Sequence, residues 1–163
     1  MKYDLVDFQD NFIKIGTKEE ARKKKLFTRS VHIWLFNKKG ELMICKRSAN
    51  KKTYPNQFTS SAGGHVEQRE NYKVTAKREL EEELGIVTSL KDLGRFDVIT
   101  PKERAIHHLF IGKLNKNFFP DPSEISCFDF MPINVIKKDI TSHPRKYCKP
   151  FLEAFKYYLA LKK

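Results

Sequence analysis

Three glutamates, Glu79, Glu82 and Glu83, lie three and four positions apart in the run Arg78-Glu79-Leu80-Glu81-Glu82-Glu83-Leu84-Gly85. On a helix, which advances about 100° per residue, these carboxylates share one face while Glu81 points well away. Like charges packed together cost an isolated helix about 0.2–0.5 kcal/mol per pair unless cations sit between them. Oxygen-rich clusters of this kind bind hard divalent ions, and Mg²⁺ keeps several waters while bridging one or two carboxylates to substrate phosphates. The chemistry suggested is therefore metal-assisted work on a phosphate. Three glutamates alone would read as a solvated acidic helix face. The wider spacing reverses that reading: Gly64, five residues, Glu70, seven residues, then Arg78.

These residues need a helix to hold them. One is expected from Glu70 or Asn71 to Leu84, stopped by Gly85, a residue suited to the left-handed C-terminal position. Around it, Tyr3 to Phe8 and Phe12 to Ile15 flank the turn residues Gln9-Asp10-Asn11 and predict a hairpin. Thr17 and Glu20 have the spacing of a capping box, opening a short basic helix that continues through Ala21 to Lys25. The β-branched and aromatic run Ser30 to Asn37, the turn Lys38-Lys39-Gly40 and the run Leu42 to Cys45 predict a second hairpin. A polar loop, Ser48 to Gln57, leads to a short strand at Phe58–Ala62 and the pair Gly63-Gly64. Further strands are expected at Ile86–Ser89, Arg95–Thr100, Ala105–Leu114 and Ser126–Met131. Phe151, Leu152, Phe155, Tyr158 and Leu159 predict an amphipathic helix over Tyr147–Leu161.

Composition bounds the rest. A chain of 163 residues, 40% hydrophobic with 13 Phe and 6 Tyr, suits one domain with a packed core. Thirty-two Lys and Arg against 20 Asp and Glu leave a formal charge of +12, attractive to nucleic acid, anionic surfaces or phosphorylated small molecules alike. Cys45, Cys127 and Cys148 are odd in number with no CxxC pair, pointing away from zinc and towards a reducing, cytoplasmic setting. No stretch approaches 18 apolar residues, so no membrane span is expected.

From Gly64 to Ile86 the sequence resembles the Nudix box at every fixed position. The resemblance implies an α/β fold, the Nudix α/β/α sandwich with a mixed sheet and a catalytic loop-helix-loop, over a single domain from 1 to 163. It implies a Nudix-type pyrophosphohydrolase, dependent on Mg²⁺ or Mn²⁺, that cleaves a phosphoanhydride bond in a nucleoside-diphosphate-linked or related small molecule. Glu79, Glu82 and Glu83 would take the metal-ligand and base-orienting places, Glu70 would add an acidic contact to the metal, Arg78 would pair with the carboxylates, and Gly64 would offer its backbone carbonyl. Which glutamate is the general base varies within the family.

The resemblance extends further. Trp34-Leu35-Phe36-Asn37, the stretch from Lys46 to Phe58, Gly64-His65 and Phe130-Met131-Pro132-Ile133 are similar to the isopentenyl-diphosphate isomerase branch of the superfamily. That branch offers a rival function, rearrangement of a prenyl diphosphate. On its register the catalytic cysteine falls on Gly63, which has no side chain for acid–base work. Two metal-binding histidines fall on Ala21 and Thr28, leaving His65 alone, and the nearest matches to a later acidic pair are Glu103 and Ala105. Missing isomerase groups and an intact box both favour hydrolysis. Arg47 and Lys51 lie where the branch holds its diphosphate and could clamp phosphate oxygens. A third reading is a non-catalytic Nudix-fold protein that binds nucleotide or RNA.

Strand alternation allows only one of the adjacent His107 and His108 to enter a given site, and His32 stays a further candidate. Trp34, in a dense apolar run, reads as core.

Overall fold

In the first hairpin, the computed structural model, which describes all 163 residues, joins β1 (Tyr3–Val6) and β2 (Phe12–Gly16) as an antiparallel pair. Asp10 adopts the left-handed conformation (φ 69°) in the turn, a region where a short polar side chain is tolerated. The capping box forms: the Glu20 amide donates to Thr17 Oγ1 at 3.1 Å and the Thr17 amide to the Glu20 carboxylate at 2.8 Å. It opens helix α1 (Lys18–Lys23), two residues shorter than its basic run suggests.

The expected second hairpin forms, but only at its turn. β3 (Thr28–Phe36) and β4 (Leu42–Arg47) meet at the turn but pair only at Phe36↔Leu42. Both strands are largely buried on both faces and find other partners. Those of β4 are β5 (Phe58–Thr59) and β9 (Ile125–Met131). β3 pairs antiparallel with β6 (Ala62–His65) and parallel with β8 (Arg104–Lys113) along its whole length. β7 (Leu90–Ile99) closes the far side, giving a mixed seven-stranded sheet in the order β5-β4-β3-β8-β7, with β6 on β3 and β9 on β4. The strand expected at Phe58–Ala62 is thus two strands, one on each arm of a fork.

Ser60 and Ser61 link the arms. Ser61 Oγ accepts from the Leu35 amide at 2.9 Å and donates to the Met43 carbonyl at 2.6 Å, joining β3 to β4 where their own ladder is lost.

The alternation of β3 sorts the core into two layers. Val31, Ile33 and Leu35 join Met43, Ala76, Leu80, Leu84 and Phe110 under helix α2 (Tyr72–Leu84). Trp34 joins Leu42, Leu109, Phe151 and Phe155 under helix α4 (Lys149–Leu161), fully buried as expected. Helices therefore cover both faces of the sheet: the expected α/β/α sandwich. No helix is long and apolar enough to cross a membrane.

Two expectations fail locally. Ile86–Ser89 is not a strand; after Gly85 turns the chain at φ 66°, these residues only carry it back to the sheet, burying Ile86 and leaving Val87 exposed. A helix α3 (Ile133–Ser142) follows β9 where none was expected. Its β-branched residues and its start at Pro132, with no side-chain cap, hide the signal, although Ile133, Ile136 and Ile140 have helical spacing.

Candidate metal and diphosphate site

Helix α2 begins where Asn71 Oδ1 accepts from the Val74 amide at 2.9 Å, and ends on the left-handed Gly85. Thr75, Ala76, Leu80 and Leu84 face the core. With that face fixed, Glu79, Glu82 and Glu83 line a depression of about 310 Å³, while Glu81 is exposed elsewhere.

Arg78 organises the carboxylates. Its Nε and Nη2 donate to the two oxygens of Glu70 at 2.9 and 3.0 Å, its Nη1 to Glu79 at 2.9 Å and Glu82 at 3.2 Å, and Nη2 also to the His65 carbonyl at 3.3 Å. A bidentate guanidinium–carboxylate pair is among the stronger charge-assisted contacts. It holds the Glu70 carboxyl down to about 2, with help from the Thr75 hydroxyl at 2.7 Å. Both Glu70 oxygens are engaged, and Glu70 does not line the depression.

Glu79 and Glu83 are in the opposite condition. Burial pushes the Glu79 carboxyl up to about 7, against the pull of Arg78 and with repulsion from Glu82 and Glu124. Burial also pushes Glu83 well above the usual carboxylate range, reinforced by Glu79 and Glu124. The one protein hydrogen bond to the Glu83 carboxylate comes from the Gly63 amide at 3.2 Å. These are carboxylates short of positive charge, the condition a divalent cation relieves. No three His, Cys, Asp or Glu side chains converge closely enough to hold an ion by themselves, so an ion here would have to keep waters and reach protein through one or two carboxylates. The hard-oxygen donor set fits Mg²⁺ or Mn²⁺.

A Cβ at Gly64 would overlap the Glu79 carboxylate and push it from its place beside Arg78. Its carbonyl accepts from Ser30 Oγ at 2.8 Å. At Gly63 a Cβ would stand 2.6 Å from the Val31 carbonyl oxygen, across the β3–β6 pairing.

The depression opens into a cavity of about 1030 Å³ that occupies the fork between β3 and β4, and the two share Lys51, Gly63, Gly64, His65, Glu83 and Glu124. Arg47 and Lys51 both line the cavity, though neither is idle. Lys51 pairs with Glu124 at 2.7 Å, and Arg47 Nε donates to the Thr53 carbonyl at 3.0 Å. Glu124 and Asp121 bring two further acids to the depression that sequence spacing did not reveal. They lie some forty residues beyond the box and are brought to it by the pairing of β9 with β4 and by the Asp121 amide, which donates to the Glu83 backbone carbonyl at 2.9 Å.

Of the residues on the isomerase register, Thr28, Gly63, His65 and Glu103 line the cavity. Ala21 is buried with Tyr3 and Leu5 under the first hairpin, and Ala105 is buried in β8. Burial and the nearby cations hold the His65 imidazole down to about 3. Alternation separates the adjacent histidines as expected. His107 lines the cavity, whereas His108 faces away, pairing with Asp92 at 2.8 Å and stacking on Tyr72. His32 also lines the cavity.

Comparison with known proteins agrees with this geometry. An uncharacterized Nudix hydrolase of Pseudomonas aeruginosa is 35% identical over 155 residues, covering 94% of this chain and 90% of its own length. Isopentenyl-diphosphate Delta-isomerase 2 of Photorhabdus laumondii is 33% identical over 148 residues, covering 88% and 84%. A crystal structure of a Deinococcus radiodurans protein superposes with a TM-score of 0.75 over 88% of this chain and 90% of that one, at 24% identity. The NUDIX domain profile matches residues 26–150, and with it the chain belongs to the Nudix family.

Proposed function

We propose that this chain hydrolyses a phosphoanhydride bond in a diphosphate-containing small molecule, of the nucleoside-diphosphate-linked kind, with a divalent metal held by Glu79, Glu82 and Glu83. The observation that carries the reading is the contrast along α2: Arg78 satisfies Glu70 completely, while Glu79 and Glu83 are packed together short of compensating charge. Mg²⁺ or Mn²⁺, when bound, neutralises phosphate oxygens and lowers the pKa of a coordinated water. Glu70 then serves as the anchor of Arg78, and Arg78 as the brace that aims Glu79. Glu83, which accepts a hydrogen bond from the Gly63 amide, would then take a proton from the attacking water. Lys51 and Arg47 face the same space and would neutralise and align the diphosphate.

Against prenyl-diphosphate isomerisation stands Gly63. It offers no acid–base group, and the Val31 carbonyl leaves no room for one.

The test is phosphate release from nucleoside triphosphates, dinucleoside polyphosphates, nucleotide sugars, coenzymes and prenyl diphosphates with Mg²⁺ or Mn²⁺, read against isomer formation. Glu79→Gln and Glu83→Gln are expected to lower kcat by about 10²–10³-fold or more with the circular dichroism spectrum retained. Full activity in both variants would end the reading.

A further inference from the structure

The deep end of the cavity holds a group that the proposed hydrolysis leaves unused. His107 is 2% exposed, and neither of its ring nitrogens has a hydrogen-bond partner. Nε2 lies 3.5 Å from a Glu103 oxygen without hydrogen-bond geometry. Leaving a buried polar group unpaired is destabilising, so such a group calls for a partner the protein itself does not supply.

The sheet explains what surrounds it. Ser30 is aligned with His107 on one side and with His65 on the other, and His32 follows two residues later on the same face. The His32 and His107 rings lie 5.2 Å apart. The protons on His32 can be assigned. Ser60 Oγ accepts from the Trp34 indole N–H at 2.9 Å and contacts His32 Nδ1 at 2.5 Å. The Ser60 hydroxyl has one proton and no other acceptor, so it donates to Nδ1, leaving His32 with its N–H on Nε2. Beside that donor, each tautomer of His107 presents one N–H and one lone pair. Donors and an acceptor side by side suit a hydroxyl, which can both give and take a hydrogen bond. An anion has no proton for the His107 lone pair, and an aliphatic chain would leave all of these nitrogens unpaired.

We propose that His107, with His32 and Ser60 behind it, recognises a hydroxyl-bearing group, such as the sugar of a nucleoside diphosphate sugar, attached to the diphosphate held at the carboxylates. This rests on the reading that the cavity receives the substrate. It also separates this chain from the prenyl-diphosphate chemistry named for several of its relatives: the diphosphate end is shared, and the group beyond it differs.

The test compares ADP-ribose with geranyl diphosphate by calorimetry with Ca²⁺ in place of Mg²⁺, so that a cation still bridges the carboxylates to the diphosphate, with both ligands checked afterwards for cleavage, using the wild type and His107→Leu. ADP-ribose should bind the wild type more tightly than geranyl diphosphate. His107→Leu should weaken ADP-ribose binding about tenfold and leave geranyl diphosphate unchanged or tighter. The ligand-free variant should also melt about 2–4 °C higher, because the unpaired imidazole is gone; a merely structural histidine would lower the melting temperature. Tighter binding of geranyl diphosphate by the wild type, equal ADP-ribose affinity in the variant, or no binding of either ligand overturns the proposal. Phosphate release with Mg²⁺ is scored separately. Release from geranyl diphosphate alone would keep the hydrolase reading and remove this one. His107-dependent binding of ADP-ribose with no release from any substrate would do the reverse.

Discussion

Arg78 donates to three carboxylates and a carbonyl, and its partners differ in kind. Glu70 is held permanently, whereas Glu79 is only aimed, its carboxyl standing near 7 because burial outweighs the guanidinium. Lysine carries the same charge but lacks the planar fork. Arg78→Lys should therefore lose the bidentate contact and destabilise the fold by about 2 kcal/mol, measured by urea denaturation, and also lower kcat because Glu79 is no longer aimed. Stability and activity both equal to wild type would refute the bracing role. Gly63 gives a second residue-level test. Gly63→Ala sets a Cβ against the Val31 carbonyl and should cost about 1–3 kcal/mol by the same measurement; an unaltered transition midpoint would show that the strands yield freely.

Between the elements, the fork of β3 and β4 matters most, because it makes the cavity. Ser61 joins its arms with two hydrogen bonds at zero exposure. Ser61→Ala strands the buried Leu35 amide and is expected to cost about 1–3 kcal/mol, with faster hydrogen exchange at that amide as the specific sign. At the other end, Asp139 of α3 accepts from Lys146 Nζ at 2.7 Å and from the Tyr147 hydroxyl at 2.6 Å, and these contacts hold its carboxyl down to about 2. A carboxyl lowered by folding stabilises above its unfolded value, about 3.9, and that contribution is lost as pH falls through about 2. Between pH 4 and 2 the wild type should thus lose melting temperature faster than Asp139→Asn; parallel curves would contradict the pairing. Pairing was the part of the fold least legible in sequence. The turn at Lys38-Lys39-Gly40 is local and legible in the sequence, but β3 and β4 are largely buried on both faces, so nothing within them says which strand lies beside each.

Across the whole molecule, the charge of +12 takes a place as well as a sign. Lys18, Arg22, Arg47, Lys51, Lys102 and Arg104 all line the cavity, against Glu83, Glu103 and Glu124. Field focused in a cleft raises the local concentration of an anionic substrate and weakens with salt. KM for a diphosphate substrate should accordingly rise between 50 mM and 500 mM salt while kcat changes little, and an insensitive KM would assign the charge to the solvated surface. Metal binding has its own readout. Mg²⁺ should raise the melting temperature of the wild type by ligand linkage and do so much less in Glu83→Gln.

The box, its helix and the Gly85 that ends it, the Thr17–Glu20 capping box and the absence of a side chain at Gly63 were determined by the sequence alone, since each depends on residues within one or two turns of one another. Alternation, equally local, separated His107 from His108. Only the tertiary structure decided that Glu124 stands beside Glu83, that Glu70 anchors Arg78 with both oxygens taken up, and that His32 and His107 meet in a cavity. These depend on which strands pair across long stretches of chain, a choice made by packing the whole sheet between α2 and α4, and no single segment carries it.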